Sequence, residues 1–436
     1  MRLLLCIPIF APWLLCVPEA AAAEPLFPLK ASLDGRHLVD QKNRPFFYHA
    51  DTAWQLPKRL RPAEAADYLD DVRRRGFTAI QIQTFAKEEP PMANFDGLNP
   101  FDPPDDILKP VEAYWQNVDA VLEGARERDL LVAVAPLWIR WGGRDPHGWR
   151  YQLNESNARP YGRFLGKRYR GFHNIVWILG GDANPLERSR ALAEIAAGIR
   201  EFAPHQLIVV HNRPEYASAA FFQPEAWLGI NLAYTYQETY IHVLGEYNRP
   251  GKARPILLGE SGYEQESNDG RGGEPHRIRR QVYHAVLNGA LGGHAYGHRN
   301  IWRFSPAWRG SLDAPGRRQM AHAKQLFASR AWYKLVPDQS NELIVGGRGY
   351  FGELDYVSAA RTQDGALAIL YLPQARTITL DLGKMNGRVK ASWFDPTDGS
   401  YLEAAGTPFP DSRRQQFTPP ARNAAADADF LLLLER

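Results

Sequence analysis

Asn174 to Asp182 reads NIVWILGGD: a polar start, five apolar residues, two glycines and a carboxylate. A run with no polar residue on either alternating face is what a parallel strand covered on both sides requires. Ile175 to Gly180 is therefore assigned as such a strand. A helix near Arg159 to Arg170 precedes it, and a helix carrying Leu192, Ile195, Ile199 and Phe202 at helical spacing follows. The resulting βα unit repeats in both directions.

Toward the N-terminus, the first strand is expected at Pro45 to Ala50 (PFFYHA). Pro62 then opens a helix with Ala65, Leu69 and Val72 on one face, and Gly76 ends it. Thr78 to Phe85 and Leu130 to Pro136 supply strands two and three. Between them Val111, Trp115, Val118, Leu122 and Ala125 form a helical stripe. Toward the C-terminus, Leu207 to Val210, Leu228 to Ala233 and Pro255 to Gly259 supply strands five to seven. A helix around Ile278 to Leu291 leads into the eighth, Gly293 to His298. A doubly wound open sheet would show the same local pattern. Eight units in one span, with no Gly-rich phosphate loop after the first strand, favour a (β/α)8 TIM barrel.

From about Pro337 the rhythm changes to short strands at Ala366 to Tyr371, Thr377 to Leu382, Val389 to Trp393 and Phe430 to Leu434. Asp364-Gly365 and Asp398-Gly399 mark turns. Period-two alternation of this kind reads as a small antiparallel β-sandwich. The expected division is a barrel over 24–336 and a sandwich over 337–436. Before both, Met1-Arg2, an apolar stretch to Val17 and Ala21-Ala22-Ala23 have the layout of a secretory signal peptide over 1–23. About 15 apolar residues broken by Pro8 and Pro12 are short of the roughly 20 that span a bilayer, so no stable membrane insertion is expected. The bulky Leu15 argues against lipoprotein processing at Cys16. The product is expected to be secreted or periplasmic.

Of 436 residues 44% are hydrophobic and 12% aromatic, including 12 Trp, enough for a large core with aromatics to spare. Cys6 and Cys16 are the only cysteines and both precede Glu24, which excludes disulfide, thiol and cysteine-ligated metal chemistry in a mature chain starting there. A net charge of +3 is too small to indicate nucleic-acid binding. The Arg excess over Lys suits bidentate contact with carboxylates.

Barrel active sites gather at the carboxyl ends of the strands. There the sequence places His49, Asp51 and Trp54, then Gln81 and Gln83, then Trp138, Arg140 and Trp141. Asp182, His211 and Asn212, Tyr234 and Tyr236, Glu260, and His294, Tyr296, His298 and Asn300 follow. Glycosidic cleavage needs two carboxyl groups flanking the anomeric carbon. Asp182 and Glu260, ending strands four and seven, fit that need, with Trp177 and Tyr236 as candidates for a dry wall around the acid. Asp182 before Ala183-Asn184-Pro185 equally fits a helix cap, and Asp51-Thr52 fits a turn. His49, Asp51, Trp54, Gln83, Trp138, Arg140, His211, Asn212, Tyr236 and His298 are the candidate sugar contacts. No cofactor and no metal is expected: His294, Tyr296 and His298 share one strand face, but their spacing is not a metal signature.

Five ordered segments carry a family likeness: RPFFYHADTAW (Arg44 to Trp54), RRRGFTAIQIQ (Arg73 to Gln83), NIVWILGGD, PILLGESGYE (Pro255 to Glu264) and ASWFDPTDG (Ala391 to Gly399). In these the chain resembles the apiosidase-like glycoside hydrolases, which join a catalytic barrel to a C-terminal β-sandwich. The resemblance implies Asp182 as acid/base, Glu260 as nucleophile, and release of apiose-linked units from pectic side chains. Galacturonic acid near the scissile bond would suit Arg140 or Arg144. Such sandwiches are sometimes labelled as collagen-binding; nothing in these residues supports collagenase chemistry, since there is no His-Glu-x-x-His zinc motif. Three rivals remain: a non-catalytic carbohydrate binder, a metal hydrolase using His49, His294 and His298, and an adhesion module working through the sandwich.

Overall fold

The computed structural model describes residues 24–85, 92–139, 152–184, 186, 188–267, 270, 272–410 and 414–436. It opens with three short antiparallel strands, β1 (Lys30–Ala31), β2 (Leu38–Val39) and β3 (Pro45–Phe46). Eight parallel strands follow: β4 (Tyr48–Thr52), β5 (Ala79–Gln83), β6 (Leu131–Ala135), β7 (Ile175–Gly180), β8 (Leu207–His211), β9 (Asn231–Tyr234), β10 (Ile256–Glu260) and β11 (Gly293–Tyr296). Their order around the sheet is β8-β7-β6-β5-β4-β11-β10-β9. The seam between β8 and β9 carries a single parallel bridge, Ile208 to Leu228, beside which the Gly229 N–H donates to the Ile208 carbonyl at 2.9 Å. The result is a nearly closed (β/α)8 barrel.

The fourth strand runs over the expected residues. The expected first strand divides: Pro45–Phe46 pairs antiparallel with β2, and the barrel strand begins at Tyr48. Phe27, Leu29, Leu38 and Phe46 join the barrel-interior cluster, so the small sheet plugs the floor at the amino ends of the strands. That leaves the carboxyl end as the open face.

Alternation divides each strand between two cores. Tyr48, Ala50, Ala79, Ala133, Val176, Ile178, Val209, Leu232, Leu257 and Ala295 fill the interior. Ile80, Ile82, Val132, Val134, Trp177, Leu179 and Val210 face the surrounding helices. Tyr48, Gln81 and Thr52 form a polar interior layer: the Tyr48 hydroxyl donates to Gln81 Oε1 at 3.1 Å. The Gln81 amide donates to Thr52 Oγ1 and to the Gly259 carbonyl.

A helix over Pro315–Ala328, absent from the expected elements, follows β11 and completes the ring. Its Arg317 is fully buried and donates to Asp51 Oδ2 at 2.9 and 3.1 Å and to Asp71, so the last helix is tied to the first βα unit. Tyr68 adds a third donor to Asp51 at 3.0 Å. Burial raises the Asp51 pKa despite the opposing Arg317 charge. Glu264 accepts from the Gly316 N–H at 2.9 Å and from the Tyr296 hydroxyl, capping the same helix.

The C-terminal region forms two antiparallel sheets. The larger contains β12 (Leu335–Pro337), β14 (Ser358–Thr362), β15 (Leu367–Leu372), β20 (Phe430–Glu435), β17 (Lys390–Phe394) and β18 (Tyr401–Glu403), in that order. The smaller contains β13 (Ile344–Gly346), β16 (Ile378–Asp381) and β19 (Arg414–Phe417). Ala368, Leu370, Leu432 and Leu434 pack toward Ile344, Ile378 and Phe417 of the smaller sheet. Ile369, Tyr371, Leu431 and Leu433 join the barrel's outer core. The large sheet is thus buried on both faces, which is why Phe430–Leu434 is apolar throughout rather than alternating.

A second buried ion pair fixes this contact. Arg279, on the helix Pro275–Leu287 after β10, donates to Asp429 at 2.8 and 2.5 Å, and the Tyr371 hydroxyl donates to the same carboxylate at 3.0 Å. His284 of that helix and Asn288 just after it meet Ser358 Oγ at 2.6 and 2.8 Å.

Candidate active site

The turn after β7 delivers Asp182 over the barrel mouth. Gly180 (φ 94°), Gly181 (φ 113°) and Asp182 (φ 39°) all adopt positive φ, which folds the chain back sharply. A Cβ on Gly181 would lie 2.2 Å from the Trp138 ring, and one on Gly180 would lie 2.4 Å from the His211 carbonyl oxygen. Only glycine fits there, so the GGD sequence is a geometric requirement for aiming the carboxylate. The Gly181 N–H donates to the His211 carbonyl at 2.9 Å, and the Ile139 N–H donates to that of Gly180 at 3.0 Å. These bonds fix the turn to both neighbouring strands.

Asp182 Oδ2 accepts from Trp138 Nε1 at 3.2 Å, while Oδ1 is buried with no partner among the described residues. Glu260 ends β10 and is nearly buried. Its Oε2 lies 2.8 Å from His211 Nε2, and His211 Nδ1 lies 3.0 Å from its neighbour's carbonyl, that of Asn212. One ligand-type atom from each of Asp182, His211 and Glu260 falls within 4.8 Å of the others. Such a trio can hold a metal ion by distance, and it can equally share a proton.

The electrostatics follow from this crowding. Burial, then the Glu260 charge, raise Asp182 to about 7, against the lowering influence of His211, Trp138 and Tyr234. For His211, burial opposes the imidazolium, but the hydrogen bond and charge of Glu260 outweigh it and the pKa is raised. One group is thus poised to carry a proton near neutrality beside a second carboxylate held by an imidazole.

Aromatic rings close the walls. Trp138 packs on His211 at 4.7 Å and on Trp54 at 5.1 Å, and Tyr234 packs on His211 at 4.8 Å. The Tyr234 and Tyr236 hydroxyls are hydrogen bonded at 2.9 Å. Trp54 Nε1 donates to the Tyr263 hydroxyl at 2.9 Å, and burial, then the Glu260 charge, push that phenol's pKa well up.

The structure brings Trp54, Trp138, His211 and Tyr236 together around Asp182 and Glu260. Gln83 sits nearly buried at the end of β5, on the inward-facing register shared with Ala79 and Gln81. Asn212 is buried and donates to the Ala217 carbonyl at 2.9 Å, so it holds its own loop. Arg140, like Arg144, lies outside the described residues.

Three expected sugar contacts are corrected. His49, Asp51 and His298 are fully buried and point away from the mouth. His49 pairs with His294 at 2.9 Å and stacks on Phe77 at 4.4 Å; burial, then His294, push its pKa well down. Asp51 is committed to Arg317 and Tyr68. His298 Nδ1 accepts from the Asn300 N–H at 3.0 Å, and burial, then Arg317, lower the ring to about 4. The histidines of the proposed metal site therefore belong to the layer between strands and helices. Trp177 is also on the outward face, where its Nε1 donates to Gln206 at 2.6 Å, so it is no wall of the site. Tyr263 was not anticipated; its place three residues beyond Glu260, within the quoted PILLGESGYE segment, is the signal that could have found it.

Comparison with known proteins agrees with this geometry. The family model described as "Apiosidase-like, catalytic domain" matches residues 32–334. The one described as "Putative collagen-binding domain of a collagenase" matches 336–435. No curated protein matches the sequence. A solved structure called a glycoside hydrolase superposes with a TM-score of 0.82 at 25% identity, covering 93% of this chain and 96% of its own. A glycoside hydrolase family 5 structure from Bacteroides vulgatus superposes with a TM-score of 0.81 at 25% identity, covering 93% of both chains. No helix among the described residues is long and apolar enough to cross a membrane. With a family model spanning most of the chain and a carboxylate pair at the barrel mouth, the protein belongs to the apiosidase-like family and is a glycosidase acting on carbohydrate.

Proposed function

We propose that this protein is a retaining glycosidase, exported after removal of residues 1–23, that acts on pectic or related plant polysaccharide fragments, with apiosyl linkages the first candidate. Asp182 is the acid/base and Glu260 the nucleophile. The observation that carries the reading is their juxtaposition. An oxygen of each lies within 4.8 Å of the other, and burial with the neighbouring Glu260 charge raises Asp182 to about 7. Retaining enzymes place their carboxyl groups about 5–5.5 Å apart, whereas inverting enzymes leave about 6.5–9.5 Å for a water.

In the first step Glu260 attacks the anomeric carbon as the glycosidic C–O bond breaks and the Asp182 proton passes to the leaving oxygen. In the second, Asp182 takes a proton from water, which attacks the same carbon and releases Glu260. His211 holds Glu260 Oε2 in position. Trp138 fixes Asp182 and, with Trp54 and Tyr236, limits water around the reacting centre. The test is incubation of the full mature chain and its Glu260→Gln variant with pectic fragments, including apiose-containing ones. Released sugars are read by mass spectrometry. Release by the parent alone supports the proposal, and release by both removes Glu260 from the chemistry.

A further inference from the structure

Gln83 closes β5 above the polar interior layer, and that layer fixes where its side chain goes. Gln81, two residues earlier on the same inward face, spans the barrel and donates its amide to the Gly259 carbonyl of β10 at 3.0 Å; Gly259 directly precedes Glu260. Ile80 and Ile82 take the outward face. Two residues of strand rise about 7 Å, so a side chain of the same length at Gln83 enters the space above the Gly259 carbonyl, where Glu260 follows. In the strand order β5 lies two strands from β7 and three from β10. Gln83, Asp182 and Glu260 therefore approach the mouth from three sides.

The Gln83 amide is uncommitted. The residue is only 8% exposed, yet its side chain makes no hydrogen bond among the described residues. Its backbone is firmly placed: the N–H donates to the Trp54 carbonyl at 2.7 Å, and its register partner on β6 is Ala135, three residues before Trp138. The amide thus stands between the two strands that carry Trp54 and Trp138, whose rings meet at 5.1 Å. A carboxamide sequestered in this way and left unpaired is a cost to the fold that a ligand's polar group recovers. It offers one acceptor and two donors and carries no charge. A hydroxyl, which both donates and accepts, matches it. A neutral group also leaves the charge balance of Asp182 and Glu260 undisturbed, where a carboxylate or guanidinium would shift it.

We propose that Gln83 is a specificity-determining residue that reads one hydroxyl of the sugar whose bond is cut, so that the enzyme rejects sugars deoxygenated at that position. The proposal rests on the glycosidase reading for the identity of the ligand, while the unpaired amide stands without it. A site built to pair a buried amide with a hydroxyl discriminates strongly against the analogue lacking it, because the amide is then left unpaired.

Gln83→Met keeps the length of the side chain and removes the amide. Because no described protein group depends on that amide, the variant should melt at or above the temperature of the parent. A lower melting temperature would show that the amide holds the fold and would overturn the proposal. On an aryl apioside, kcat/KM should fall about 10- to 100-fold, the range for a lost hydrogen bond that leaves a polar group unpaired. Monodeoxy analogues of the same apioside, one for each hydroxyl, complete a double-mutant cycle. At one position the parent should lose about as much as the variant did, and the variant less than about twofold more. Additive losses at every position would overturn the assignment. A binding arm removes the dependence on turnover: Glu260→Gln and Glu260→Gln/Gln83→Met are titrated with apiose-containing pectic fragments by calorimetry. Binding weaker by about tenfold in the second supports the proposal, even if the parent cleaves nothing, a result that would count against the glycosidase reading alone. Equal affinity of both, or no binding by either, contradicts it.

Discussion

His211 Nε2 stands 2.8 Å from Glu260 Oε2, and the same histidine's carbonyl accepts the Gly181 N–H one residue before Asp182. One residue at the end of β8 therefore positions both carboxylates. His211→Ala should lower kcat by about 100-fold with KM little changed, since small misplacements of reacting groups cost that much. His211→Gln, which can still donate to Glu260, should recover part of the loss. Steady-state kinetics on the same substrate decide, and equal defects in both variants would assign His211 a different role.

The turn geometry makes its own prediction. Gly181→Ala would put a methyl into the Trp138 ring at a backbone angle that alanine resists. Activity should fall by at least about 100-fold, with loss of the Trp138 contact to Asp182 visible in tryptophan fluorescence. Near-normal kcat would mean that the turn does not aim the acid.

Asp182 supplies a pH signature. It must be protonated to act as the acid, so kcat/KM should fall as pH rises through about 7. The two carboxyls titrate as a pair, and the limb belongs to that pair. Stability carries the same sign. A carboxyl raised above its unfolded value of 3.8 stabilises the fold below that value and loses the contribution as pH climbs to about 7. Asp182→Asn should therefore melt higher than the parent at pH 8, with the gap closing toward pH 4. A gap independent of pH would contradict the raised value.

Arg317 is a structural element. Arg317→Met leaves Asp51 and Asp71 without their buried counter-charge and should destabilise the protein by about 3–5 kcal/mol in denaturant unfolding. A change below about 1 kcal/mol would show that water reaches those carboxylates in the parent.

The barrel was legible because strands buried on both faces must be apolar throughout, as in IVWILG, and because that signal survives small errors in strand ends. The same property hides orientation. In YHADT all five residues are buried, so nothing in the pattern says that Tyr48 and Ala50 point inward while His49 and Asp51 point out. A one-residue difference in register exchanges the two faces, which is why two polar residues of the first strand were assigned to the mouth. Asp182 and Glu260 escaped this ambiguity because each closes its run at the carboxyl end. The Pro315–Ala328 helix did carry a signal: Pro315 at its start, then Met320, Ala323 and Phe327 at helical spacing. The carboxylate partners of its buried Arg317 lie more than 240 positions away in sequence, so only folding reveals them.

The most direct measurement is azide rescue of Glu260→Ala and Asp182→Ala on an aryl glycoside of the released sugar, with the anomeric configuration of the products read by NMR. A double displacement predicts a glycosyl azide of inverted configuration from Glu260→Ala, because azide replaces the missing nucleophile. It predicts one of retained configuration from Asp182→Ala, because azide then attacks the glycosyl-enzyme. Retained configuration from Glu260→Ala would contradict the assignment of Glu260 as the nucleophile, and with it the central claim.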